Sequence, residues 1–437
     1  MNKKALQWLY QELPDLVNKG VVSSETAKKI KEHYGQVKVQ DKRWMFLIIC
    51  GVIGALLIGL GIIMLIAHNW DMLSRATRAF LSILPLVAGQ LLAIWVMLKK
   101  PNSDAFKEGS AIFLSLMVGA SIALISQTYN ISGDTQDFIL TWMLLIAPLI
   151  YLMQASIPAA IYLIGITCWA GSFWWNDPGK ALFYWPLLFV ALPHFIWSLK
   201  IKTYSLRSTI LSFVMVVSIC YGAAFSLGKN WPGGWIIINS SIFTIFYLLG
   251  NLSLNKITTN WQRPLRFIGG AGIVVLALIF TFNDMWRYLS SVSEYSRVKN
   301  PSSAVFFDYI ITTGIISGAI ILLLDAYRKK DTLKTMLGVF PILAILGYAI
   351  NLNTGILSPL IFNLYLFALS LFCIINGVHD NKLGRVNIGM LILAVLIIVR
   401  FFDSDISFIV KGLVFIFIGI GFLATNAVLV RRRGGSK

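Results

Sequence analysis

"RATRAFLSILPLVAGQLLAIWVMLKK", residues 75–100, decides the fold class. Residues 79–98 carry no charged side chain. A helix of that length, at about 1.5 Å per residue, reaches about 30 Å, the thickness of a bilayer's hydrocarbon core. Two arginines open the run and two lysines close it. The same pattern recurs along the chain and predicts fourteen spans, at 45–66, 77–98, 109–127, 137–153, 157–175, 181–198, 208–227, 235–254, 265–283, 305–324, 335–350, 355–377, 387–402 and 407–429. Apolar residues make up 57% of the 437 and charged residues 13%. So few charges could not cover the surface of a soluble domain of this size. The fold class is all-α, a polytopic transmembrane helix bundle.

The junctions give an orientation. With the N-terminus inside, 28 of the 37 Lys and Arg fall in cytoplasmic segments and 7 in outer loops, while Arg400 and Lys411 lie near the outer ends of spans. Acidic residues show no such bias: 10 lie inside, 8 outside, and Asp308 within a span. This asymmetry of Lys and Arg is the positive-inside pattern, and it predicts that both termini are cytoplasmic. A net charge of +18 would suggest nucleic acid in a soluble chain. Here the cations flank apolar spans, so membrane lipids of the inner leaflet are the expected partner and nucleic acid is not. The weakest boundary is Gln154-Ala155-Ser156, an uncharged junction. Fusing the spans around it would invert every basic segment downstream, so two spans are expected.

Residues 1–43 read as a small cytoplasmic helical hairpin. Leu6, Leu9, Leu13 and Leu16 recur at helical spacing, Pro14 complicates a single helix, and Gly20 ends it. Ser23-Ser24-Glu25 offers a cap for a second helix. Residues 44–155 form a first membrane region, 156–430 the remaining bundle, and 431–437 a basic cytoplasmic tail. Trp70, Trp185 and Trp286 are expected as interfacial aromatics at outer span edges. Small residues at a spacing of four predict close helix packing at Gly51/Ala55/Gly59, Ser115/Gly119/Ala123 and Gly314/Gly318. The four cysteines fall within spans at no metal-ligand spacing and read as small apolar residues. No metal site, cofactor or catalytic residue is expected.

Polar side chains at depth are few. Gln90, Asn239-Ser240-Ser241 and Asn363 are expected to bond between helices, and His194 to be a structural hydrogen-bonding residue. No carboxylate or cation lies near mid-span, which argues against ion-coupled pumping. The polar groups gather at the outer ends. Asn69, Trp70, Asp71, Arg75 and Arg78 follow the first span, with Asp71 and Arg75 at ion-pair spacing. Gln127, Tyr129, Asn130 and Asp134 follow the third, with Asp137 placed to cap the fourth. Arg400, Asp403, Asp405 and Lys411 surround the last outer turn as a balanced charge cluster.

The runs "LIAHNWDMLSRATRAFLSILPLVAGQ" (65–90) and "ISQTYNISGDTQDFILTWMLLIAPLIYLM" (125–153) resemble an uncharacterised family of predicted bacterial membrane proteins, a domain of unknown function numbered two-one-five-seven. "ELPDLVNKGVVSSETAKKIKEHY" (12–34) is similar to its cytoplasmic opening, and the ending from Arg400 to a tail many members carry. The resemblance covers residues 1–155 well and carries the family's pairs onto Asn69-Trp70, Gln127/Tyr129 and Gly133/Asp134. A His is common in the family where this chain has Asn130. What it implies is a shared fold and a bacterial inner membrane. It brings no activity.

The expected function is binding or moving a polar or lipid-linked small molecule through an outer-facing vestibule. Trp70 and Tyr129 would form its stacking walls, and Arg75, Arg78 and Arg400 would face an anion. An outer-face membrane enzyme on a lipid-linked substrate is one alternative, although the first outer loop is too short for a donor and acceptor platform. A sensor or scaffold signalling through residues 1–43 is the other.

Overall fold

The computed structural model describes residues 3–34, 70–174, 177–201, 206–228, 233–251, 263–295, 303–351 and 357–403, with Ile416, Gly419 and Ile420. Among them there is helix and turn and no strand. The predicted spans 45–66 and 407–429 lie outside the described residues, apart from those last three. Two compact units, Met1–Arg78 and Ala79–Lys437, make up the chain.

In the first unit, α1 (Lys3–Asn18) runs unbroken through Pro14, and α2 (Ser24–Tyr34) follows a turn in which Gly20 takes φ +70°. Ser23 Oγ accepts the Thr26 amide at 3.2 Å, the cap that the Ser-Ser-Glu signal predicts. Leu13 and Ala27 are the buried apolar residues of α1 and α2 among the described ones. A 3₁₀ turn, Trp70–Met72, precedes Ser74, whose Oγ accepts the Thr77 amide at 3.2 Å. That hydroxyl caps α3 (Arg75–Lys99).

The second unit is a bundle of α4 (Asp104–Tyr129), α5 (Thr135–Leu152), α6 (Ser156–Gly171), α7 (Tyr184–Ile201), α8 (Leu206–Ser226), α9 (Gly234–Gly250), α10 (Pro264–Ile279), α11 (Asn283–Tyr295), α12 (Ser303–Arg328), α13 (Thr332–Gly338), α14 (Phe340–Asn351), α15 (Ser358–His379) and α16 (Leu383–Asp403), together with most of α3. Nine helical segments among the described residues are long and apolar enough to cross a membrane. Two predicted spans, α6 and α9, are shorter apolar helices of 16 and 17 residues.

The predicted span 265–283 is cut short: α10 stops at Ile279, and the chain turns by 84° into α11. Residues 284–295, expected as loop, are therefore mostly helix. Its polar half resembles a loop by hydropathy, but Trp286 and Leu289 form a buried face. Trp286 is fully buried, donates Nε1–H to the Phe280 carbonyl at 2.8 Å, and stacks on Phe362 at 5.7 Å. Trp185 is likewise a core residue, donating to Ser226 Oγ at 3.0 Å. These two tryptophans anchor packing rather than facing lipid.

The break between α5 and α6 falls where the parity of basic segments requires it. Gln154 adopts φ +50°, and α6 begins at Ser156. The small-residue seams fare unevenly. A methyl group on Gly119 would sit 2.5 Å from the Trp142 ring, whose Nε1–H reaches the Ser115 carbonyl at 2.7 Å, so that seam is real. Among the described residues nothing lies within 4 Å of a methyl group on Gly314, and Gly318 makes only ordinary contact, so the Gly314/Gly318 seam is not a close packing surface among them. The tightest approach of a glycine to another helix's backbone among the described residues is one the spacing did not flag, α9 against α10 at Gly250 and Gly269. Two cores result. One lies among α5–α8 around Tyr162, Ile166 and Met215; the other surrounds Phe280, Trp286, Phe340 and Phe362, with α9 contributing to both.

Candidate functional site

Among the residues expected at the outer vestibule, Asn69 and the side chain of Asp71 lie outside the described residues. Trp70 is buried at 7% exposure, and its Nε1 has no hydrogen-bond partner among the described residues. Arg75 is exposed at the first turn of α3, while Arg78 donates Nε–H to the Leu73 carbonyl at 3.0 Å, closing the turn before the helix. Gln127, Tyr129 and Asp134 are exposed at the α4–α5 connection. The N-cap of α5 is Asp134, not Asp137, which sits in the first turn; there its charge meets the helix's positive end. Asn130 caps α4 with φ +48°. Asn and His both tolerate that left-handed conformation better than most residues, so the residue types found at this position follow from the turn without invoking proton chemistry.

Arg400 reaches across to the end of α10. Its Nη2 donates to the Thr281 carbonyl at 2.8 Å and to Thr281 Oγ1 at 2.9 Å, and its guanidinium lies 5.1 Å above the Phe282 ring. A cation at a helix C-terminus satisfies carbonyls that the 84° turn leaves without helical donors. The Asp403 side chain, Asp405 and Lys411 lie outside the described residues.

Two buried carboxylates that the residue patterns did not single out hold the bundle's ends. Glu108 (6% exposed) accepts the Ser156 amide through Oε1 at 2.8 Å and the Ile157 amide through Oε2 at 3.0 Å. It caps α6 from another helix, because Ala155 at the N-cap has no side-chain acceptor. Arg207 Nη1 stands 3.8 Å from Glu108 and from Asp104. Asp308 (1% exposed) accepts the Gly228 amide at 3.1 Å and the Thr312 hydroxyl at 3.3 Å. The signal for Glu108 was a helix start whose own sequence supplies no cap.

Inside the bundle, the expected bonds between helices are not those found. Asn239, Ser241 and Asn363 each bond a carbonyl four residues back in their own helix, and Gln90 is exposed. Bonds between helices come instead from other residues, among them Thr167, Ser218 and Tyr184, whose hydroxyls form a buried chain of 2.7 and 2.8 Å links. His194 packs against the rings of Tyr151 and Trp197, and its Nε2 has no hydrogen-bond partner among the described residues. The Ser240 and Thr244 hydroxyls, fully buried in the middle of α9, also lack one.

At one end of α9 a cavity of about 230 Å³ has Asn251, Asp325, Lys329 and Lys334 above Leu248 and Leu322. Lys329 pairs with Asp325 at 2.7 Å and Lys334 with Asp331 at 2.9 Å. Burial pushes the Asp331 carboxyl up, but the Lys334 hydrogen bonds and charge, with Arg385, bring it below its ordinary value.

Residues 14–159 match the family model described as Predicted membrane protein (DUF2157). No curated protein and no solved structure matches the chain. The DUF2157 match takes in the Trp70–Arg78 turn, the α4–α5 connection and the joint where Glu108 caps α6. It ends within the first turns of that helix, so α7 onward, with the cavity and the α9 hydroxyls, lies beyond it.

Proposed function

We propose that this multi-pass membrane protein binds and moves a polar or lipid-linked small molecule along α9, in a bacterial inner membrane with both chain ends cytoplasmic. The observation that carries the reading is the pair Ser240 and Thr244. An unpartnered buried hydroxyl costs about 1–3 kcal/mol, yet two stand one turn apart on a short helix that contributes to both cores. Short and interrupted helices at the centre of a bundle are where transporters place substrate sites. The sharp turn at α10–α11, next to α9 in packing, fits the same plan. The absence of a mid-span charge favours passive movement over ion-coupled pumping. The path's outer mouth is assigned to the face of the second unit that bears Tyr129 and Arg400.

Contacts support the topology in this reading. Residues 108, 156 and 207 meet, as do 228 with 308, 281 with 400, and 286 with 351. Each group joins junctions of the same parity. The Lys and Arg bias then assigns the 108–156–207 end to the cytoplasm. A reporter fused after Lys334 should be active only in its cytoplasmic form; an external signal there would reverse the assignment.

The activity is tested in proteoliposomes of phosphatidylethanolamine and phosphatidylglycerol carrying a fluorescent phosphatidylglycerol, with dithionite quenching the outer leaflet. The intact protein should expose the inner-leaflet label faster than empty vesicles do. Ser240→Ala/Thr244→Val should slow that exposure about tenfold, a loss worth 1.4 kcal/mol, without lowering the melting temperature, because no hydrogen bond is lost. Tyr129→Ala should slow it too. Exposure no faster than in empty vesicles would refute lipid movement, and full activity in the double variant would remove α9 from the path.

A further inference from the structure

The cavity at the end of α9 has a chemistry that the carrier reading does not use. Its floor is Leu248 and Leu322 and its rim is Asn251, Asp325, Lys329 and Lys334. Residues 325–334, from the last turn of α12 into the first of α13, hold four cations, Arg328, Lys329, Lys330 and Lys334, against two carboxylates, Asp325 and Asp331. Each rim lysine pairs with a carboxylate of its own segment: Lys329 with Asp325 in an exposed i,i+4 pair of a kind worth only about 0.3–0.5 kcal/mol, and Lys334 with Asp331 in a half-buried one. Lys329 can therefore turn to a stronger acceptor at small cost. A phosphate can be that acceptor: it carries more charge than one carboxylate and offers several oxygens, so it can take a charge-assisted bond from each lysine at once.

Size and depth narrow the ligand further. Drug-sized pockets occupy about 300–1,000 Å³, and this cavity, at about 230 Å³, is smaller. It has room for a phosphate and a few attached atoms, not for a lipid-linked oligosaccharide. Tyr327, 69% exposed at the end of α12, is the kind of aromatic that sits at headgroup level. Basic pockets between membrane helices on the cytoplasmic side are suited to anionic headgroups. We propose that this cavity binds a phosphate group, through Lys329 and Lys334 with Asn251 as an uncharged donor. The proposal stands on the cavity alone and is independent of movement along α9.

The test uses the purified full chain in detergent with three probes: phosphatidylglycerol, inorganic phosphate, and phosphate-free galactosyl diacylglycerol. Native mass spectrometry should show phosphatidylglycerol retained by the wild type and about tenfold less retained by Lys329→Gln, the loss of one charge-assisted bond. Lys329 is the informative variant because its exposed side chain makes no structural cap, and Lys334→Gln should repeat the loss. Galactosyl diacylglycerol should be retained equally by all three proteins. If inorganic phosphate raises the wild-type melting temperature and not that of Lys329→Gln, while lipid retention is unchanged, the phosphate is free rather than lipid-borne. Equal behaviour of wild type and both variants with both phosphate probes would overturn the proposal, whatever the vesicle assay shows.

Discussion

Gly269→Ala is expected to abolish most of the folded protein. A methyl group there would lie 2.4 Å from the Tyr247 nitrogen and 2.7 Å from the Phe243 carbonyl oxygen. Both are backbone atoms of α9 and cannot rotate away, so the two helices must separate. Over-packing commonly costs about 1–3 kcal/mol when side chains can adjust, and here they cannot, so a loss above that range is expected. Gly250 makes the reciprocal approach, its added carbon 2.3 Å from the Arg266 nitrogen. In a bilayer such contact matters more than in water, because lipid tails provide no hydrophobic drive to hold helices together.

The same bundle supplies the controls. Gly270 faces the Tyr247 ring at 3.4 Å, and Gly314 has no neighbour within 4 Å among the described residues. Ala at either position should be tolerated, and at Gly314 it should gain up to about 1 kcal/mol of helix propensity. Melting curves of the three purified variants settle the matter. A Gly269→Ala protein that melts with the wild type would show that α9 and α10 do not approach this closely.

How much of this was legible in the residues varies by kind of information. Span positions were, because charges stop apolar runs wherever a helix leaves the bilayer: α3, α12 and α15 lie within a few residues of the predicted limits. Two features misled. After Phe282 the composition turns to Asn, Asp, Arg and Ser, so α11 resembled a loop; the Trp286 and Leu289 face was the available sign of a helix. Close packing was sought in glycines spaced by four, whereas the contact at Gly269 depends on what faces it from α9. A spacing rule reports which residues share a helix face, not which helix lies opposite.

The candidate site divides in the same way. Arg400 was visible as a cation too deep to remain unmatched, but its acceptor, the Thr281 carbonyl, lies 119 residues away at a helix end whose position depends on the turn after α10. Ser240 was visible as a polar residue in a span, whereas Thr244 was not singled out. Their isolation was not visible, because back-bonding to the helix's own carbonyls, as Ser241 does, was equally compatible with the residues.

Glu108→Ala should be nearly as damaging as the Gly269 change, for the opposite reason: it removes a contact instead of adding one. The Ser156 and Ile157 amides would be left without an acceptor at a buried helix start, and each buried orphan costs about 1–3 kcal/mol, giving a loss of about 2–6 kcal/mol. Glu108→Gln keeps the shape and one acceptor oxygen but turns an amide NH₂ toward the other N–H, so it should fall between wild type and Ala. Arg207→Gln separates the cap from the ion pair. Its side chain is 32% exposed and 3.8 Å from the carboxylate, so it should cost under about 1 kcal/mol. If Arg207→Gln proves as costly as Glu108→Ala, the carboxylate acts through charge and not as a cap. A rescue sharpens the comparison. Ala155 holds extended N-cap geometry, φ −101° and ψ 132°, and a Ser there can accept an amide of the first turn locally. Ala155→Ser should restore about 1 kcal/mol in the Glu108→Ala background and almost nothing in the wild type, where both amides are already bonded. That non-additivity would tie the uncharged Gln154-Ala155-Ser156 junction to α4. It would explain how two spans stay separate without a basic residue between them.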